Sequence, residues 1–589
     1  MQHRNDDMQR GIARMLAGLL GGLLLGLCGT AQAFQFEFGE VKGTLDNQAS
    51  VGAIVRMEDQ DKRLIGKSNL NPGLCLRDTG NDQDPATTAG TGCNSTSNAA
   101  LNADYVQQPG SFTPNGDNGN LNYDKGDLVG GAFKITSDLN LSWRNWGALL
   151  RGSYFYDDPN TNFRETHPDT TFQPARTDRP RAVEDLVGND LQRIDTYVFG
   201  TVPFIGERQL TVRVGDQVLN WGESTFLIAN SLNHIAPPHL PHLRAPAFDV
   251  KELFVPVGML YLGTEVVQNL SLEAFYQYDW KPVVPDPVGS FYSTSDTFGT
   301  GGTYAMLSFS KAPEDPTQSY DPALNDDDAT GLLSSSSRTI LRAADRLPKD
   351  GGQYGFKLAY FAEDFNGGTE LAFYHSNTHS RFPLGSFTAA SASCATNATN
   401  AVEFADPING CGPPGSGLGS GVGTNGNGFG RLMFSGGANQ RDPLPVETVT
   451  VIAEYPEDIK LYGLSFNTTI GDWAWSGEVA YRTNQPLQIN TTDLLLAAEQ
   501  PAFPAADIPL GPAGTIPGRR VALPDFVETR FRRNTVAPNA YIQGYESMKV
   551  ANYGMTFLNT VSASNPLKAD QIVIVFELGA TQIFDMPDI

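Results

Sequence analysis

Stretch after stretch of this chain alternates apolar and polar residues with a period of two, which restricts each stretch to a strand with two unlike faces. From Trp146 to Asp157 one face carries Trp146, Ala148, Leu150, Gly152, Tyr154 and Tyr156, and the other carries Gly147, Leu149, Arg151, Ser153, Phe155 and Asp157. Further on, Leu270, Leu272, Ala274, Tyr276, Tyr278 and Trp280 oppose Ser271, Glu273, Gln277 and Asp279. Tyr354, Phe356, Leu358 and Tyr360 oppose Gln353 and Lys357, and Trp473, Trp475, Val479 and Tyr481 oppose Ser476, Glu478 and Arg482. In a soluble sandwich the polar set would face solvent and the apolar set a core. In a membrane barrel the polar set faces the lumen and the apolar set faces lipid. Alternation alone does not separate the two.

The connections do. The pattern predicts strands at about 45–57, 129–141, 146–157, 191–203, 208–220, 257–267, 270–281, 352–363, 368–379, 458–470, 473–484, 546–561 and 568–581. Short links (142–145, 204–207, 268–269, 364–367, 471–472, 562–567) alternate with long ones (58–128, 158–190, 221–256, 282–351, 380–457, 485–545), each of the latter over 30 residues. Tight turns on one rim and extended loops on the other are the habit of an outer-membrane barrel, and a sandwich has no reason to follow it. The expected fold is therefore all-β: a transmembrane, antiparallel, up-and-down β-barrel of roughly 14–16 strands. Thirteen strands is an odd number, whereas single-chain bacterial barrels have even ones. Either Phe34–Val41 supplies another strand, or closing strands lie beyond Ile589; we expect the second.

Composition agrees with this reading. The 61 Gly and 38 Pro suit many turns, and no mature stretch is apolar for long enough to be a membrane helix. A formal charge of −24 and a pI near 4.6 argue against nucleic acid as a partner, since phosphate backbones recruit clustered Lys and Arg. Residues 1–33 read as an export signal: Arg4, Arg10 and Arg14, then an apolar run from Met15 to Leu27, then Ala31-Gln32-Ala33 as the cleavage site. The barrel would occupy 34–589. Cys28 follows Leu27, where lipid attachment needs a small residue, so it is expected to leave with the signal. The four remaining cysteines form two close pairs, Cys75 with Cys93 and Cys394 with Cys411, expected as disulfide staples in long external loops.

Several segments resemble a known family: Val214-Gly215-Asp216-Gln217-Val218-Leu219-Asn220-Trp221-Gly222-Glu223-Ser224-Thr225-Phe226, Leu243-Arg244-Ala245-Pro246 to Lys251-Glu252, His379-Ser380-Arg381-Phe382-Pro383, and Tyr462-Gly463-Leu464-Ser465-Phe466 through Gly477-Glu478. The most specific of these is the Asn-Trp-Gly-Glu-Ser run. The family is a proteobacterial outer-membrane β-barrel family catalogued as domain of unknown function 1302, and the resemblance covers nearly the whole mature chain. It implies an outer-membrane location. It also implies genes near an RND-type permease and a periplasmic carrier, in clusters handling steroids, terpenes or other hydrophobic compounds. It implies no catalytic residues.

The segment from Trp221 to Pro256 is the candidate site. It holds Trp221, Glu223, Ser224, His234, His239, His242, Arg244 and Asp249, while Pro237, Pro238 and Pro241 keep it irregular before a short helical stretch at Phe248–Phe254. A loop this apolar and proline-rich is expected to fold into the lumen as a constriction, its polar residues either pinning it to the wall or lining the solute path. His239 and His242 with His234 invite a metal, but Pro241 is expected to break the helix that would set two imidazoles on one face, so no metal or other cofactor is expected. Arg151, Arg213, Glu273, Lys357, Glu478, Glu577 and Arg482 fall at inward strand positions, where charges must meet water or pair. We expect a network that stiffens the wall. The acidic run Asp326-Asp327-Asp328 lacks the spacing of a calcium loop and reads as solvated surface. No G-x-S-x-G, HExxH or P-loop pattern occurs, so the chain is not expected to be an enzyme. The leading expectation is a channel for small hydrophobic or amphipathic solutes, embedded in outer-membrane lipid. An enzyme working at the external rim and a loop-based receptor or adhesin are the alternatives.

Overall fold

The computed structural model describes residues 34–70, 107–111, 118–165, 179–224, 231–244, 248, 252–306, 339–406, 411, 445–509, 511, 515–516, 518–519, 535–562 and 565–586. The expected signal with its cleavage after Ala33, the Cys75–Cys93 pair, Asp249 and the Asp326–Asp328 run lie outside the described residues.

Fourteen strands form one antiparallel sheet in chain order: β1 (Phe34–Phe38), β2 (Val41–Val55), β3 (Leu128–Trp143), β4 (Trp146–Asp157), β5 (Asn189–Pro203), β6 (Gln209–Gln217), β7 (Val257–Val267), β8 (Leu270–Gln277), β9 (Gln353–Ala362), β10 (Thr369–Thr378), β11 (Ile459–Ile470), β12 (Trp473–Gln488), β13 (Tyr545–Ser562) and β14 (Gln571–Phe584). All thirteen predicted strands are there, and Phe34–Phe38 adds the fourteenth, the first of the two alternatives raised by the odd count. Short turns join β1–β2, β3–β4 and each later odd–even pair. Gly471 makes one of them possible: its φ of 59° lies where only glycine is at ease, and it closes the two-residue β11–β12 turn.

The sheet is inside-out relative to a soluble sandwich. On β9, Tyr354, Phe356, Leu358 and Tyr360 are between 36% and 48% exposed, while the alternating Gln353 is fully buried. On β10, Leu371 and Phe373 face out, and Ser376 and Thr378 are buried. Outward apolar groups need a lipid surround and inward polar groups need partners, the partition of a transmembrane barrel wall. One expected outward residue departs from this. Trp280 lies past the end of β8 at Gln277, buried edge-on against Tyr455 with its indole N–H donated to the Ser380 carbonyl at 3.2 Å.

The sheet is also curled. Trp221 reaches β8 through Glu273, and Ser224, three residues on, reaches β14 through Glu577. On a flat sheet those strands would lie about 29 Å apart, six spacings of about 4.8 Å. Three extended residues cover only about 10 Å. Curvature brings the far strand within reach. Among the described residues the pairings run from β1 to β14 and none joins β14 back to β1.

Wall height is uneven: β6 and β8 have nine and eight residues, whereas β12 and β13 have sixteen and eighteen. Above the tall side the external loops build a second, five-stranded sheet in the order Tyr541–Ile542, Leu384–Thr388, Thr450–Glu454, Thr339–Arg342 and Tyr304–Met306. The helix Thr491–Glu499 is capped by the Asn490 side chain and packs Leu494, Ala497 and Ala498 against Phe387, Ile340 and Val451 of that sheet. Gln488, the last residue of β12, ties the cap to the wall through both the N–H and the carbonyl of Gly385. Cys394 and Cys411 are disulfide-bonded in this external region, as expected, beside Ile508 and Ile516.

A lumenal plug as the candidate functional site

β6 stops at Gln217, low on the wall, and the chain then turns into the lumen. Trp221 is 4% exposed, tilted against Phe275 at 5.1 Å and Tyr374 at 5.8 Å, with its N–H donated to Glu273 at 3.0 Å. Leu232 and Ile235 are buried with Met259, Leu461 and Ala480, and each contributes roughly 1.5–3 kcal/mol by leaving water. The described apolar residues of this segment therefore pack against the inner side of the wall instead of projecting outward.

Polar wall residues hold it there. The Glu478 carboxylate accepts the backbone N–H groups of Glu223 at 2.6 Å, Ser224 at 3.2 Å and Leu232 at 3.1 Å. Arg482 donates to the Ser231 carbonyl at 2.7 Å, and Gln277 and Arg381 both donate to that of Ile235. Asn467 donates to Glu223 at 2.8 Å, and the Ser224 hydroxyl to Glu577 at 2.7 Å. Farther along, Glu252 meets Lys134 at 2.7 Å and the Thr136 hydroxyl at 3.1 Å. The described parts of the plug thus touch β3, β5, β8, β10, β11, β12 and β14.

Residues 249–251 of the expected helical stretch Phe248–Phe254 lie outside the described residues. A helical turn not expected from the sequence runs from Leu240 to Arg244, and Phe254 bridges to Pro238. Pro241 does not break that turn because it sits at its start, where no intrahelical N–H is needed. The expectation that Pro241 would keep His239 and His242 apart is therefore corrected: their rings stack at 3.6 Å. Their nitrogens are turned to separate partners. His239 Nδ1 accepts the His242 N–H and His242 Nε2 meets Gln192, while His234 lies between the Leu232 carbonyl and the Ser376 hydroxyl. Among the described residues no three His, Cys, Asp or Glu side chains are grouped to hold a metal. Arg244 donates to Asp286 at 2.5 Å and to the Tyr292 carbonyl at 2.9 Å; burial pushes the Asp286 carboxyl up to about 6 against the pull of Arg244.

The remaining inward charges pair within the wall. Lys357 lies 3.1 Å from Glu370 and 3.9 Å from Glu273, and Arg151 is 2.7 Å from both Asp138 and Asp195. Arg213 stacks on Tyr261 and Tyr197 at 5.1 and 5.9 Å. Sequence reasoning missed Lys134, Gln277 and Arg381. The inward parity of Lys134 and Gln277 was readable, but their partners in the plug were not.

The pattern described as Protein of unknown function (DUF1302) matches residues 14–589. The chain belongs to the DUF1302 family. No curated protein matches it. Among solved structures, Salmonella typhi OmpF in complex with daunomycin is 8% identical with a TM-score of 0.27, the match covering 93% of this chain and 81% of that one. Acinetobacter baumannii OccAB1 is 9% identical, TM-score 0.22, covering 77% and 86%. Pseudomonas putida OprB is 8% identical, TM-score 0.18, covering 77% and 89%.

Proposed function

We propose that this DUF1302 protein is a non-enzymatic outer-membrane channel that passes small hydrophobic or amphipathic molecules through a partly plugged lumen. The observation that carries the reading is the plug itself, an apolar segment pinned inside a curled wall by inward polar side chains. Trp221, Leu232, Ile235 and His239 are buried and fix the plug against the wall, so they set how much of the lumen stays open, while the half-buried Glu223, Ser224, His234, His242 and Arg244 offer polar contacts to a solute passing beside it. Residues 1–33 direct export and are removed after Ala33, so the mature protein begins at Phe34. A periplasmic carrier and an RND-type permease complete the route, a proposal that co-purification tests.

Planar-bilayer conductance and steroid uptake by lipopolysaccharide-containing vesicles test the channel, comparing wild type with Trp221→Ala and His239→Ala. A channel changes its permeation in these variants, whereas a rim enzyme keeps it. Absence of ion and solute passage in every variant would overturn the reading.

A further inference from the structure

We infer that Glu478 is the positioning residue that sets the bore of the lumen, by holding two separate stretches of the plug on one carboxylate; the inference rests on the channel reading above. Oε2 takes the N–H groups of Glu223 and Ser224, and Oε1 takes that of Leu232. A carboxylate is the one side chain that offers acceptors on both prongs and no donor. Glutamine in its place would turn an NH₂ group toward at least one of these N–H groups, setting donor against donor.

The plug is shaped around this group. Gly222 has a φ of 97°, and a Cβ there would stand 2.5 Å from Glu478 Oε2 and 2.9 Å from the Leu232 Cβ. Only glycine lets the backbone lie so close to the carboxylate. Arg482, four residues along the same face of β12, secures the Ser231 carbonyl, the other half of the peptide unit whose N–H Glu478 accepts. The far end of the plug has its own anchors, Lys134 with Glu252 and Arg244 with Asp286, so it stays in place when the near end is released.

Loss of the Glu478 contacts frees the amides of Glu223, Ser224 and Leu232 from β12 while Trp221–Glu273 and Ser224–Glu577 still tether the segment, so the near end shifts and the passage widens on the β12 side. The test is single-channel conductance, with the size limit for sugars in liposome swelling, of the full-length protein carrying Glu478→Gln or, separately, Gly222→Ala. The second variant disturbs the same contact from the plug without altering the wall, so it decides the matter if Glu478→Gln fails to insert. The expected result is a several-fold rise in conductance and a larger size limit, with the heat stability of the barrel unchanged. A residue serving only wall stability would shift heat stability and leave conductance alone. If folded variants conduct like a conducting wild type, Glu478 does not set the bore and the channel reading stands. If wild type and variants all fail to conduct, both fall.

Discussion

Lys134 of β3 and Glu252 of the plug form an ion pair at 2.7 Å, each side chain 5% exposed, and join two chain positions 118 residues apart. Removing one partner leaves the other charged and buried, whereas replacing both leaves an apolar contact. Glu252→Ala should therefore destabilise the folded barrel by about 3–5 kcal/mol, while Lys134→Met with Glu252→Leu should be close to neutral. Heat-modifiable migration on gels and thermal unfolding in detergent check both; equal losses in the single and double variants would refute this account.

The lower lumen presents Glu223, Glu273, Glu370 and Glu577 against Lys357 and Arg213. A passage lined in this way should prefer cations, most strongly at low salt. Reversal potentials across a KCl gradient should be cation-selective in wild type, less so in Glu370→Gln, and more so in Lys357→Gln.

Burial pushes Glu499, at the end of the cap helix, up to about 7 from an ordinary value of 4.5. The folded cap therefore holds this proton more tightly than the unfolded one. Its contribution is fully present below about pH 4.5 and is lost as pH rises through about 7, a change on the order of 3 kcal/mol. Hydrogen exchange of Thr491–Glu499, corrected for intrinsic rates, should quicken between pH 5 and 8. In Glu499→Gln that pH dependence should disappear.

Cys394 and Cys411 close a loop of 17 residues beside Ile508 and Ile516. By loop closure such a bond stabilises its region by about 3 kcal/mol. Reduction should speed protease cleavage in this external region and leave the strand wall resistant. Cleavage at the same rate in oxidised and reduced protein would contradict this.

The wall was legible because each strand is a long local signal: the faces of β4 and β9 could be sorted from their own residues. The plug was legible as an inward segment, since Pro237, Pro238 and Trp221 have no good place in solvent. Its anchors were less so, because Glu252 and Lys134 make sense only as a pair and nothing local links them. The cap was missed for a similar reason. Its strands are two to five residues long and find their partners in three different loops, so none carries a readable period. The stacking of His239 and His242 was not legible because a proline interrupts a helix only away from its first turn, and the spacing alone does not say that Pro241 stands in that turn.

The low exit of the chain from β6 couples the length of one ribbon to the depth of the obstruction. Adding two residues to β6 would preserve which side chains face inward, yet raise the departure point by roughly 7 Å along the strand. The amides of Glu223 and Ser224 would then overshoot the carboxylate waiting on the opposite flank. Depth can thus be tuned only in pleat-sized steps, each requiring a matching relocation of the acceptor across the bore.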